Sequence, residues 1–275
     1  MSNREEIIVV VGPTASGKSK FAVRLAKKIN GEIIACDSRQ VYRGLDIGTA
    51  KIKGEWCTDI ADPKKTFSVA EYKKYANEAI AMIYHSGKIP ILVGGTGFYI
   101  RALIDGIVLP EVPPNPELRR KLERKSAGAL FKILRKKDPV RAKTIERKNK
   151  RRLIRALEII AALGRVPKIK HKSQYSAKFI GIKRRQEELK KRIVKRTREM
   201  LKKGLIREVQ KLRRSGVTWK RLGELGFEYK YPALYLRKKI SKKEMIDSIN
   251  KETLAYTRRQ MLWWKNDKRI KWIMS

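Results

Sequence analysis

Eight consecutive residues have the types and spacing to do chemistry. Gly12-Pro13-Thr14-Ala15-Ser16-Gly17-Lys18-Ser19 fits the pattern G-x-x-x-x-G-K-S/T. The apolar run Ile7 to Val11 leads into it, and the helical stripe Phe21, Ala22, Leu25, Ala26 and Ile29 follows. A strand feeding a glycine-rich turn that opens a helix is the setting in which this pattern binds phosphate. Consecutive backbone N–H groups and the helix N-terminus face an anion, Lys18 adds a mobile positive charge, and the Ser19 hydroxyl can ligate Mg2+. Gly12 and the residues Thr14 to Ser19 are therefore expected to hold a diphosphate or polyphosphate, and the loop alone does not say which. Glu32 to Cys36 reads as a second strand stopping at Asp37. Open α/β sheets place their chemistry at the carboxyl ends of strands, which puts Asp37 near the phosphates.

The elements that position these residues follow from periodicity and punctuation. After the polar stretch Ser38 to Lys51, a capping box of Ser68 and Glu71 opens a helix with Ala76, Ala79, Ile80 and Ile83 on its apolar face, closed by Gly87. Ile89 to Val93 is a buried strand ending in Gly94-Gly95-Thr96-Gly97. A hydrolytic phosphate-loop ATPase usually carries an Asp there to manage Mg2+. Small residues in its place suggest room for a ligand. Pro110, Pro113, Pro114 and Pro116 mark a boundary. Helices are expected at Glu117 to Arg124, Ala127 to Lys137, Val140 to Lys148 and Arg151 to Leu163, the last with Leu153, Ile154, Leu157 and Ile160 as its stripe. Val166 to Lys178 reads as a linker, and Phe179 to Ile182 as a strand returning to the sheet. The expectation is an α/β phosphate-loop core with a parallel sheet, residues 1–113 and 179–275, carrying a helical insertion at 114–178 and a helical C-terminal part. In that part Leu189, Ile193, Thr197 and Met200 line one helix stopped by Gly204, and Ser241 with Glu244 opens a long one through Trp263-Trp264. Tryptophans near arginines could stack on unpaired bases or simply fill the core.

The formal charge of +41 is unevenly placed. Residues 1–116 carry 16 Lys+Arg against 12 Asp+Glu, residues 117–172 carry 21 against 5, and residues 173–275 carry 31 against 10. A near-neutral phosphate-loop segment followed by a strongly basic remainder points to a polyanionic partner, most simply a nucleic acid. Cys36 and Cys57, with His85 and His171, do not make a zinc site of ordinary spacing and read as reduced thiols of a cytoplasmic protein. Neither a signal peptide nor a membrane-spanning run is expected.

Several motifs then coincide in order. The phosphate loop, Asp37-Ser38 with Gln40-Val41-Tyr42, Asp46-Ile47-Gly48-Thr49-Ala50-Lys51, Val93-Gly94-Gly95-Thr96-Gly97 and Arg259-Gln260 together resemble the tRNA dimethylallyltransferases, or tRNA isopentenyltransferases, over nearly the whole chain. The resemblance implies transfer of a prenyl group from dimethylallyl diphosphate to the N6 amine of the adenosine 3′ of the anticodon, with Mg2+ as cofactor. It implies a helical insertion that grips the anticodon stem-loop, and a monomeric enzyme. Carried over by position, it makes Asp37 the general base on the N6 amine, while as a second-strand carboxylate Asp37 could instead hold Mg2+. Thr96 would approach the reacting centre, and Arg101 would help neutralise the leaving diphosphate. RNA contacts are implied for Asp37, Ser38, Arg39, Gln40, Thr96, Arg119, Arg151, Arg152, Arg155, Arg258, Arg259 and Gln260.

The chain departs from the family pattern in places. The stretch between Lys51 and Asp59 is short, with Trp56-Cys57-Thr58 where a histidine-containing pattern is common, and Gly226-Phe227-Glu228 replaces the more usual Gly-Tyr-Lys/Arg. No zinc-finger extension of the eukaryotic kind follows Trp272, which suits a bacterial type. Three alternatives stay open on residues alone: an isopentenyltransferase of free adenine nucleotides, a phosphate-loop small-molecule kinase, and an RNA binder with a vestigial loop.

Overall fold

The apolar run near the N-terminus becomes the central strand of a five-stranded, all-parallel sheet in a computed structural model that describes residues 6–275. In chain order the first elements are β1 (Glu6–Val11), α1 (Lys18–Lys28), β2 (Gly31–Ala35), α2 (Val69–His85), β3 (Ile89–Val93) and α3 (Gly97–Ile104). There follow β4 (Ile107–Val108), α4 (Pro116–Glu123), α5 (Ala127–Lys137), α6 (Pro139–Thr144), α7 (Lys150–Leu163) and β5 (Lys170–His171). The chain ends with β6 (Ser176–Lys183), α8 (Gln186–Lys203), α9 (Leu205–Arg214), α10 (Trp219–Glu224), α11 (Phe227–Leu236), α12 (Lys242–Trp264) and β7 (Ile270–Met274). Residues 6–106 and 172–275 form one compact unit and residues 107–171 another.

In the larger unit the strand order is β2-β3-β1-β6-β7. Strands of a parallel sheet are buried on both faces, so they read as continuous apolar runs. Ile7, Val9 and Val11 of β1 join Ile34, Ile80, Ile83, Tyr99, Leu103 and Trp264 on one side. Val10 joins Ala22, Ile33, Ile91, Val93 and Ile182 on the other. The predicted capping box at Ser68 is formed, and so is the one at Ser241. Cys36 and Cys57 are free and buried, and burial pushes the Cys57 thiol up to about 12 and Cys36 higher still, so neither is a thiolate at neutral pH. Among the described residues no helix is long and apolar enough to cross a membrane.

The smaller unit packs α4, α5, α6 and α7 around Leu122, Leu130, Leu134, Leu153, Leu157 and Ile160. Its limits fall seven residues before the expected 114 and 178. The reason is a short antiparallel pairing, Ile107 with His171 and Val108 with Lys170, inside stretches that have no strand period. The expected linker therefore contains β5 and the start of β6, which pairs with β1 from Ser176 onward. The helix expected at 140–148 stops at Thr144, where Ile145 turns extended. β7 was not expected; it lies beside β6 from Phe179 with Ile270 to Lys183 with Met274.

The glycines after β3 also behave differently from the expectation that small residues leave room for a ligand. A Cβ on Gly94 would lie 2.1 Å from the Cys36 carbonyl oxygen, one on Gly95 1.9 Å from the Gln260 amide nitrogen, and one on Gly97 2.7 Å from Trp263. The space is already taken by the protein itself. Gly94→Ala should therefore force apart the ends of β2 and β3 and cost about 2 kcal/mol or more, as overpacking against backbone does. Urea unfolding checks this, and a stability unchanged from wild type would refute the close approach.

Candidate active site

The phosphate loop is wound against the end of β6. Gly12 has φ +146°, and a Cβ there would sit 2.5 Å from the Ile182 carbonyl oxygen, so only glycine lets the loop pass. Ala15 (φ +65°) and Gly17 (φ +99°) take left-handed conformations, which turns successive N–H groups toward one concave side. Cations gather on the loop. Lys18 Nζ donates to the Pro13 carbonyl at 3.1 Å, Arg184 Nε to the Ser16 carbonyl at 2.7 Å, and Arg192 Nε to the Ala15 carbonyl at 2.7 Å. Burial pushes the Lys18 ammonium down to about 8, against the pull of Asp37, with Arg196 adding to the depression. Ser16 is fully buried and its hydroxyl has no hydrogen-bond partner among the described residues, a polar atom open to an incoming ligand.

The ends of β2 and β3 supply the other wall. Asp37 follows β2, and its Oδ1 accepts the Arg39 backbone N–H at 2.8 Å. The Thr96 hydroxyl, at the N-cap of α3, accepts the Ser38 backbone N–H at 3.1 Å and lies within reach of the Tyr256 phenol. Gln260, 2% exposed on α12, ties this wall to the loop: its Oε1 accepts from Thr14 N at 2.8 Å and Thr14 Oγ1 at 3.1 Å, and its Nε2 donates to the Gly95 carbonyl at 3.2 Å. Glu228 belongs to the same neighbourhood. Burial pushes its carboxyl up to about 7, Arg196 opposing and Asp37 adding. A phosphate loop, a carboxylate and a threonine hydroxyl thus share one end of the sheet, an arrangement able to hold an anionic group beside a proton acceptor.

Residues 40–267 match the family model described as IPP transferase, and residues 5–55 match isopentenyl transferase. The tRNA dimethylallyltransferase of Halothermothrix orenii is 38% identical over 97% of this chain and 86% of its own, and that of Carboxydothermus hydrogenoformans 40% identical over 98% and 92%. The chain belongs to the IPP transferase family. Among solved structures, the full-length tRNA isopentenylpyrophosphate transferase of Bacillus halodurans superposes with a TM-score of 0.73 at 37% identity, covering 99% of this chain and 90% of that one. A eukaryotic dimethylallyltransferase described as acting on tRNA gives 0.82 at 26% identity, over 98% and 74%.

Against the expectations for an IPP transferase, the structure brings together the loop residues Gly12 to Ser19, Asp37, Ser38, Arg39 and Thr96. Two residues have other partners. Arg101 donates to the Trp263 carbonyl at 3.2 Å and lies 3.9 Å from Asp267, at the C-terminal end of α12. Gln260 has both ends of its amide spent inside the protein and is buried, so it organises the site and does not meet RNA. Gln40 donates to the Thr49 carbonyl at 3.3 Å. Arg258 and Arg259 are exposed on α12, Arg259 over the Tyr256 ring. In the smaller unit Arg151 and Arg152 are exposed, whereas Arg119 and Arg155 are bonded to Glu158 or the backbone. Trp264 is fully buried, which makes it core, and Trp263 covers Gly97.

Sequence reasoning missed Arg184, Arg192, Arg196, Glu208 and Glu228. Arg192 and Arg196 stand four apart on α8, a spacing that puts them on one face, but they are hidden in a run of other basic residues. Glu208 accepts the backbone N–H groups of Asp46, Ile47 and Gly48 at 3.0, 2.7 and 3.1 Å, and so explains the Asp46 to Lys51 motif as a loop pinned from α9.

The donor set fits Mg2+ only in one manner. Among the described residues no group of three or more His, Cys, Asp or Glu could hold a metal. Mg2+ is commonly held by one or two protein oxygens with water and substrate phosphate, and Ser19 at the first turn of α1, with the Asp37 carboxylate close enough to act on Lys18, fits that hard-oxygen chemistry. The raised carboxyl of Glu228 has a stability consequence. Between about pH 4.5 and 7 the folded protein holds a proton that the unfolded chain has released, so this group's contribution falls as pH rises through that window. Glu228→Gln should leave the melting temperature near wild type at pH 5 and above wild type at pH 8. Thermal unfolding at the two pH values checks it, and an equal offset at both would show that Glu228 does not titrate there.

Proposed function

We propose that this IPP transferase transfers a dimethylallyl group from dimethylallyl diphosphate to the exocyclic N6 amine of the adenosine 3′-adjacent to the anticodon in tRNA, in the cytoplasm. The observation that carries the reading is the placement of Asp37 and Thr96 beside a phosphate loop loaded with Lys18, Arg184, Arg192 and Arg196. In the reaction the bond between the allylic carbon and the diphosphate oxygen breaks, and the N6–C bond forms. The proton leaves N6 for the Asp37 carboxylate, and diphosphate departs.

Allylic displacement is governed by stabilisation of the leaving group, since charge spreads over the allyl system. The loop N–H groups, Lys18 and the three arginines meet that need with fixed positive charge. Mg2+, held by Ser19 and the phosphate oxygens when bound, would add Lewis-acid neutralisation of the diphosphate. An aromatic amine is a weak nucleophile, and a positioned carboxylate accepting its proton contributes about 10² to 10⁴-fold. Thr96 holds the Ser38 backbone and hence the turn that carries Asp37. The adenine must leave the anticodon-loop stack to arrive there, which makes this a base-flipping reaction. Arg39, Arg258 and Arg259, with Arg119, Arg151, Arg152 and Arg155 of the basic unit, are the candidates for RNA contact.

Incubation with radiolabelled dimethylallyl diphosphate, Mg2+ and either bulk tRNA or AMP, followed by nucleoside analysis, tests the substrate class. Label is expected in N6-prenylated adenosine from tRNA; label in AMP alone would favour a free-nucleotide enzyme. Asp37→Ala should lower turnover at least 10²-fold and leave tRNA affinity within about threefold, and near-normal turnover would remove Asp37 as the base. Lys18 gives a pH signature. With a pKa of about 8 in the free protein, it must take up a proton to pair with diphosphate at higher pH. Affinity for dimethylallyl diphosphate should fall as pH rises above about 8, and Lys18→Arg, which stays charged, should flatten that fall. Titration calorimetry between pH 7 and 9.5 decides it.

A further inference from the structure

Glu158 lies on the inner face of α7, 2% exposed, in the most basic part of the molecule. Its Oε1 accepts from Arg119 Nε at 2.7 Å and from the Asn115 backbone N–H at 2.9 Å, and its Oε2 accepts from Arg119 Nη2 at 2.8 Å. Arg155 stands beside it, Nη1 3.6 Å from Oε2, while its Nη2 donates to the Val112 carbonyl at 2.8 Å. One carboxylate therefore joins the segment before α4, the first turn of α4 and a face of α7. Burial opposes its ionisation, but the hydrogen bonds from Arg119 and Asn115 outweigh it and hold the carboxyl below the usual range.

Such a cluster could be no more than a buried ion pair, which is weak evidence for stability. The geometry of Arg119 says more. Its fork to Glu158 uses the Nε and Nη2 edge, so Nη1 has no hydrogen-bond partner among the described residues, and the side chain is 37% exposed. A guanidinium gripped along one edge cannot rotate, and its free edge faces water in a single orientation. Fixed guanidinium edges are what bidentate phosphate recognition requires. We infer that Glu158 is a positioning residue for RNA recognition: through its fork to Arg119 it presents the outward edge of that guanidinium to one RNA phosphate. This rests on the proposal that Arg119 contacts tRNA.

The sign of the effect separates positioning from simple charge. Residues 107–171 hold 20 Lys+Arg against 6 Asp+Glu, and deleting a negative charge from such a surface would by field alone strengthen binding to a polyanion. Positioning predicts the reverse. Glu158→Gln keeps the volume and removes the charge-assisted fork; Glu158→Asp keeps the charge and withdraws it by one methylene, and serves where the Gln variant fails to fold. Either should weaken tRNA binding about tenfold by fluorescence anisotropy at fixed ionic strength. The KM for tRNA should rise alike, while kcat and the KM for dimethylallyl diphosphate stay within about twofold. In an Arg119→Ala background the Glu158 substitution should add nothing. Unchanged or tighter binding by the Glu158 variants while Arg119→Ala weakens it overturns the inference, as does an additive loss in the double variant, which would assign Glu158 to stability alone. If Arg119→Ala itself leaves tRNA binding unchanged, the Arg119 contact is wrong and the inference falls with it.

Discussion

A single buried amide holds the catalytic end of the sheet in register. Gln260 reaches from α12 to a residue 246 positions earlier in the chain, accepting from both the backbone and the side chain of Thr14, and with its other end donates to the Gly95 carbonyl. The phosphate loop and the loop after β3 are thereby fixed to one another through a helix that belongs to neither. The cost of losing one partner of such a buried group is about 1–3 kcal/mol, so the amide is held as firmly as it holds. Glycine is required at Gly95 and Gly97 because the amide and the Trp263 ring occupy the volume where side chains would be, and at Gly94 because the Cys36 backbone does. Thr96, set between these glycines, is placed by the same close approach, and through Ser38 it sets the turn that carries Asp37.

Around this frame the charges are arranged in opposition. Two arginines and a lysine donate to phosphate-loop carbonyls, and Arg196, bonded to the Gly48 carbonyl, acts on Lys18 through its charge. Burial lowers the Lys18 pKa, with Arg196 adding to the depression and the Asp37 carboxylate as the local counterweight. Glu228 sits in the first turn of α11, where the helix dipole favours negative charge, yet burial and Asp37 still raise it. A multivalent anion entering the loop would relieve the repulsion among the cations and draw a proton onto Lys18, so ligand charge and site charge are matched only when the site is filled.

What was legible in the sequence was what is local. The strand, phosphate loop and first helix occupy adjacent residues, and their glycine spacing and apolar periods carry the geometry without help from elsewhere. Both predicted capping boxes are present for the same reason. Arg184 and Arg192 were not legible, because their role is set by the pairing of β6 with β1 and not by any neighbour in sequence. Gln260 was singled out but given the wrong partner: a polar residue beside two arginines reads as surface, while the helical stripe Thr253, Thr257, Gln260 and Trp264 is in fact the buried face of α12. The contact of Arg101 with the Trp263 carbonyl of α12 was not legible either, since it joins residues 162 positions apart.

The short stretch that departs from the family pattern has a structural occupation of its own. Trp56 donates its backbone N–H to the Ile33 carbonyl at 2.8 Å and accepts from Ala35 N at 2.9 Å, adding one bridge residue to the free edge of β2. Its indole donates to Glu32, which also pairs with Lys88. An uncovered edge strand invites pairing with another chain, and a single bridge with an anchored aromatic side chain is enough to blunt it. Glu55, beside Trp56, is pushed by burial up to about 7, with Asp37 contributing to the rise, so the edge closure is coupled electrostatically to the turn that carries Asp37. The departure therefore closes the edge of the strand that Asp37 follows.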